Sequence, residues 1–205
     1  MLMYQKWITA LTLLLLTTAV LHAQDSRLQE GDIIFQSNIS PQCKAIELAT
    51  HSRYSHCGIL FKKNGGWYVY EAVQPVRQTP YDEWIARNRE HYAVKRLKGA
   101  DSLITASEIL QMKLAAGKYM GKNYDSYFEW SDERIYCSEL VWKIYREVLG
   151  VEVGKLQPMR EYDLSHPLVK ATMRERYGNS IPLDEKMVSP GNIYNSPLLE
   201  TVIER

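Results

Sequence analysis

Residues 136–141, Tyr136-Cys137-Ser138-Glu139-Leu140-Val141, open a helical repeat with a cysteine in its first turn. Leu140, Val141, Ile144, Tyr145 and Val148 follow at helical spacing, and Gly150 stands where a helix would close. Ser131 or Asp132 is the expected cap near the start. Far upstream, Ser55-His56-Cys57-Gly58-Ile59-Leu60 sets a histidine on an apolar, strand-like run. A thiolate is favoured by the partial positive charge of a helix N-terminus, and an imidazole can manage its proton. The two stretches together point to cysteine-dependent acyl transfer, with Cys137 as nucleophile and His56 as base.

Asn64-Gly65 lies between the strand-like runs 54–61 and 67–73, a strong hairpin signal. With those two residues as the loop, Lys63 faces Gly66 and His56 opposes Val73. Glu71 is then the diagonal neighbour of His56 on the same face. It sits among Trp67, Val69 and Val73, where a carboxylate needs a partner, and it can accept the imidazole N–H. Tyr54, two positions before His56, and Gln36, at the end of the first strand, are candidate oxyanion donors or groove-lining residues.

Residues 28–36 read as a turn feeding a buried strand, and Ser40-Pro41 as a cap and first turn for a helix ending near Thr50. A helical piece at 81–89 precedes an extended run at 92–97. Residues 101–120 read as one helix with Leu103, Ala106, Leu110, Leu114 and Met120 along one side. The tail carries Pro158, Pro167, Pro182, Pro190 and Pro197, and reads as short helices and loops around the core. No repeat, linker or low-complexity segment divides the chain, so one α+β domain is expected.

The chain has 205 residues, 25 basic and 24 acidic, for a formal charge of +1, so nothing global points to nucleic acid. An uncharged apolar stretch at 7–21 ends at His22-Ala23-Gln24-Asp25, short for a membrane span and suited to a signal peptide over 1–23. The expectation is an exported protein, periplasmic or associated with the cell envelope, with a catalytic domain over 24–205 and no stable span after signal removal; a retained membrane anchor is the alternative. Three cysteines, at 43, 57 and 137, leave at least one thiol unpaired. Zinc on Cys43, His51, His56 and Cys57 is the chemical rival. Adjacent strand residues point to opposite faces, and Cys-x-x-Cys does not occur, so no metal and no cofactor are expected.

Several stretches resemble the YiiX-type family of circularly permuted papain-fold enzymes, relatives of the NlpC-type cell-wall amidases and the lecithin:retinol acyltransferase group. They are Gly31-Asp32-Ile33-Ile34-Phe35-Gln36, Lys44-Ala45-Ile46-Glu47-Leu48-Ala49-Thr50, Tyr54-Ser55-His56 with Gly58, and Tyr70-Glu71-Ala72-Val73. Gly121-Lys122-Asn123-Tyr124-Asp125, Trp130-Ser131-Asp132, Tyr136-Cys137-Ser138-Glu139 and Val188-Ser189-Pro190 complete the set. The resemblance implies a small antiparallel sheet or half-barrel packed against helices, with Cys137 as nucleophile, His56 as general base and Glu71 as orienting residue. Cys57 departs from the pattern and opens a route to oxidation. The implied activity is cleavage of an amide or peptide bond in cell-envelope material, such as peptidoglycan peptides or an acyl-lysine-type amide. Lipid-directed acyltransferase or thioesterase chemistry, and a non-enzymatic binding module, are the competing readings.

Overall fold

The structure, a computed structural model, describes residues 26–38, 40–88 and 91–205; the signal segment expected at 1–23 lies outside them. Strand β1 (Ile33–Gln36) leads to helix α1 (Pro41–Thr50), whose first turn is capped by the Ser40 hydroxyl accepting from the Cys43 N–H at 3.1 Å. Strands β2 (His56–Lys63) and β3 (Gly66–Glu71) form the hairpin, followed by β4 (Arg77–Pro80), helix α2 (Tyr81–Ala86) and β5 (Tyr92–Leu97). The hairpin register runs from Lys63↔Gly66 to Ile59↔Tyr70, the pairing set by an Asn64-Gly65 loop.

These strands belong to one antiparallel sheet, ordered β10-β5-β1-β2-β3-β4, in which β10 (Leu199–Glu204) is an edge. The fold is α+β. Both faces of the sheet are buried, which explains why β1 is apolar at successive positions. Ile33, Phe35, Cys57, Ile59 and Phe61 share a core with helix α5 (Cys137–Leu149). Ile34, Leu60, Val69 and Val94 pack instead with Tyr81 and Trp84 of α2.

Three expectations are corrected. The helix expected over 101–120 is broken into α3 (Ala100–Leu103) and α4 (Ala106–Gly117), because Thr105 caps a new start with Glu108 reaching back to its N–H. The buried side of α4 is Met112, Ala115 and Ala116, while Leu103 of α3 and Leu110 and Leu114 of α4 are over half exposed, at 51%, 56% and 57%. The two alanines lie on the side of α4 that joins the core containing α5. At the start of α5 the cap residue is Tyr136, whose N–H donates to the Glu139 carboxylate at 3.3 Å. Ser131 and Asp132 bind Lys143 Nζ instead, at 2.7 and 2.8 Å.

Short ladders pair β6 (Asn123–Tyr124) with β7 (Arg134–Ile135) and β8 (Gln157–Pro158) with β9 (Lys186–Met187). The tail also holds α6 (Pro167–Tyr177) and α7 (Pro190–Tyr194) before β10 rejoins the sheet. That last strand is absent from the proline-dominated reading of the tail. Among the described residues no helix is long and apolar enough to cross a membrane.

Candidate active site

Helix α5 begins at Cys137, so the thiol stands in the first turn, where unpaired N–H groups and the helix dipole favour a negative sulfur. Only 3% of this residue is exposed. The sulfur is met by the Cys57 side chain, the Cys57 main-chain N–H and the His56 imidazole, all supplied by the start of β2. The Cys57 contact, outweighing the opposing effect of burial, together with the His56 charge, holds the Cys137 thiol well below its ordinary range. Cys57 itself is pushed well above it, by burial first and then by its contact with the Cys137 sulfur.

His56 Nε2 donates to Glu71 Oε2 at 2.6 Å, which leaves the other ring nitrogen for Cys137. Trp84 stacks on the imidazole, with ring centroids 6.1 Å apart and planes 27° from parallel. Burial would lower the imidazole pKa. The Cys137 charge, the hydrogen bond to that sulfur and the Glu71 carboxylate override it and raise the pKa to about 10.

Glu71 ends β3 and is fully buried, yet it is an anion with both oxygens engaged. Thr79 Oγ1 donates to Oε1 at 2.6 Å and Trp84 Nε1 to Oε2 at 2.8 Å. Arg87 grips both oxygens, at 2.9 and 2.8 Å. Burial works against the charge, but the bonds from His56, Arg87 and Thr79 keep the carboxyl well below its usual range. Sequence reasoning missed Thr79, Trp84 and Arg87; no local pattern marks a strand threonine or a post-helical arginine as partners of a distant carboxylate.

The structure thus brings Cys137, His56 and Glu71 together. Gln36 faces His56 across the β1–β2 ladder, buried, and its Oε1 makes no hydrogen bond among the described residues. Tyr54 goes elsewhere: its ring packs against Phe35 and Tyr194, with centroids 6.0 and 4.6 Å away. The physical reason is that β2 starts only at His56, so strand alternation does not yet govern residue 54. Ser55 takes the position beside the cavity.

That cavity, about 70 Å³, opens beside Cys137 between α1, α6 and the chain around Val188. Its walls are mostly apolar, with Ala45, Ile46, Phe128, Met159, Val169 and Met173 among them, and Tyr124, Tyr162 and Thr172 adding hydroxyls. Arg176 is the one basic side chain among the described lining residues. Glu139, in the same first turn as Cys137, is fully buried and raised to about 7, chiefly by desolvation, with Lys143 2.8 Å away opposing the rise.

An antiparallel sheet against a helix that begins with a cysteine, the histidine preceding that cysteine in the chain, is the architecture of permuted papain-like cysteine amidases. Residues 27–203 match the family described as permuted papain-like amidase enzymes, YaeF/YiiX, C92, and the chain belongs to that family. It is 49% identical over 175 residues to YiiX of Escherichia coli strain K12, described as an uncharacterized protein, with 85% of each chain covered. It also resembles the crystal structure of a protein described as metalloprotein YiiX from Escherichia coli O157:H7. There the TM-score is 0.83 at 48% identity, covering 87% of this chain and 98% of the other.

That relative's description includes a metal, which raises the question of whether the side chains here could hold one. Among the described residues no group of three or more His, Cys, Asp or Glu is placed to hold a metal ion. His56 Nε2 is engaged by Glu71, and a bidentate guanidinium already occupies the Glu71 oxygens. His51 turns to Asp163, 3.3 Å away. Among the described residues, these side chains do not fit a metal centre.

Proposed function

We propose that the protein is a cysteine amide hydrolase in which Cys137 is the nucleophile, His56 the acid–base and Glu71 the group that orients and charges the imidazole. The observation that carries this reading is the His56–Glu71 bond of 2.6 Å beside a Cys137 that starts a helix, with the thiol held below its ordinary range and the imidazole raised above its own. The Cys137 thiolate attacks the amide carbonyl, and the carbonyl electron pair moves to oxygen. His56 gives its proton to the leaving amine as the C–N bond breaks, leaving a thioester on Cys137. Water then attacks that carbon while neutral His56 takes its proton; the acid departs, and thiolate and imidazolium are restored. The main-chain N–H of Cys137, one of the unpaired donors of the helix start, is the first oxyanion donor in this scheme. Gln36, beside His56, is the second candidate.

The apolar walls beside Cys137 favour an amide with an apolar acyl body, such as an acyl-lysine-type amide, over the charged stem peptides of peptidoglycan. The same walls favour the second reading, acyl transfer from a lipid to an acceptor other than water. The proposed location is outside the cytoplasm, at the cell envelope, supported by the signal-like segment at 1–23. The test is digestion of isolated peptidoglycan and acyl-lysine amides by wild type and Cys137→Ala, read by mass spectrometry. Release of free fatty acid by wild type alone supports hydrolysis; transfer to an added alcohol or amine in preference to water supports the second reading. Equal activity in the two proteins overturns both.

A further inference from the structure

The pocket beside Cys137 contains a cation that the proposed chemistry does not use. Arg176, near the end of α6, lines it together with Cys137. Its Nη2 donates to Gln42 Oε1 at 3.1 Å, and its guanidinium lies 4.8 Å over the Phe128 ring. Tyr177, whose hydroxyl donates to the Tyr127 carbonyl, follows it in the chain and feels its charge. All three neighbours are neutral, and among the described residues no carboxylate pairs with Arg176. Arg87 and Arg96, part-buried elsewhere in the molecule, each grip a buried carboxylate. Arg176 is part-buried, and a guanidinium has five donors in a rigid fork suited to carboxylate or phosphate.

We propose that Arg176 is a specificity-determining residue that binds an anionic group of the substrate, so that the pocket takes an amide with a short apolar body and one carboxylate or phosphate. The inference rests on the reading of Cys137 as nucleophile. Tyr124 ties the two ends together. Burial chiefly raises its phenol, the Cys137 charge adds to the rise, and Arg176 opposes it, so both charges act on one side chain of the same pocket. Apolar contact with Val169 and Met173 would seat the body, and the guanidinium would fix the substrate's orientation relative to the sulfur. The bond to Gln42 has a competing meaning, as a strut between α6 and α1, and the experiment separates the two.

The experiment compares three amides: N-hexanoylglycine, N-hexanoyl-O-phosphoethanolamine and the neutral N-hexanoylglycinamide. Released hexanoate is measured for wild type, Arg176→Met, Arg176→Lys and the surface control Arg174→Met. In wild type at least one anionic amide should exceed the neutral one in kcat/KM by about tenfold or more, as expected for a hydrogen-bonded charge. Which anion leads identifies carboxylate or phosphate as the natural group. Arg176→Met should bring the ratio near unity, Arg176→Lys should keep part of it, and Arg174→Met should keep all of it. A wild-type ratio near unity, or one that survives Arg176→Met, overturns the proposal and leaves Arg176 as a strut. If wild type hydrolyses none of the three, the proposed hydrolase activity fails on these substrates. The charge preference is then read from calorimetric binding to Cys137→Ala with and without Arg176→Met. Equal or undetectable binding of all three amides there overturns it as well.

Discussion

Arg87 holds both oxygens of Glu71, the carboxylate that in turn receives the Nε2–H of His56. A buried anion is kept charged by a fork of donors, and the imidazole inherits its orientation. Removing the fork leaves Glu71 buried with less compensation. Arg87→Met should therefore destabilise the fold by about 2–4 kcal/mol in urea unfolding, more than a surface ion pair would. A loss below about 1 kcal/mol would show that Thr79, Trp84 and His56 suffice to hold the charge.

Cys137→Ala should abolish amide turnover, by at least about four orders of magnitude, while the melting temperature stays within a few degrees. Glu71→Gln should slow turnover less, because the ring can still meet the sulfur. Circular dichroism and product analysis on one preparation check both statements.

The sulfur–imidazole pair predicts a particular pH profile. Cys137 is held well below the ordinary thiol value of 9.0, so alkylation by iodoacetamide should persist through neutral pH and fall only in acid. His56→Ala should shift that midpoint upward. Turnover should fall on the alkaline side near pH 10, where His56 loses the proton destined for the leaving amine. Glu71 is depressed from 4.5, so its contribution to stability is present above that value and is lost as pH falls toward its lower folded value. Urea midpoints measured from pH 6 down to pH 3 should decline, and Glu71→Gln should flatten the decline.

Gly58 lies on β2 hard against β3. A Cβ there would lie 2.5 Å from Val69 Cγ1 and 2.6 Å from the Tyr70 carbonyl oxygen. Gly58→Ala must push the strands apart beside the His56–Glu71 bond, with an expected loss of roughly 2 kcal/mol or more. Gly117, at the end of α4, is the contrast, since a methyl group added there would meet nothing within 4 Å. Gly117→Ala should be neutral or stabilising by up to about 1 kcal/mol, read from the same urea curves.

The exposed and buried stripes of α4 make opposite predictions for apolar residues of one helix. Leu110→Gln should change stability by no more than about 0.5 kcal/mol, and Met112→Ala should cost about 2–4 kcal/mol. Equal losses in urea unfolding would mean that the leucine stripe is covered in solution.

Much of the scaffold is legible in the sequence. Asn64-Gly65 sets the hairpin register, and strand alternation then puts His56 and Glu71 on one face. Ser40-Pro41 marks the start of α1, and the apolar repeat after Cys137 marks α5. The misses share a cause. On α4 the 3.6-residue period is real, but periodicity alone does not say which stripe a neighbour covers. At β10 an edge strand of six residues is hidden among turn formers, since its pairing depends on the distant Tyr92–Leu97. Tyr54 is misplaced by an alternation that begins only two residues later.

Local chemistry therefore determined the elements, the hairpin parity and the position of a cysteine in a first helical turn, because turn preferences and residue periods act over a few neighbouring positions. The tertiary structure alone decided the Arg87 grip on Glu71, the contact of Cys57 with the Cys137 sulfur and the apolar pocket holding Arg176. Each joins segments that local preferences do not connect. Their meeting follows from which faces are buried against one another, and that is settled by packing of the whole core.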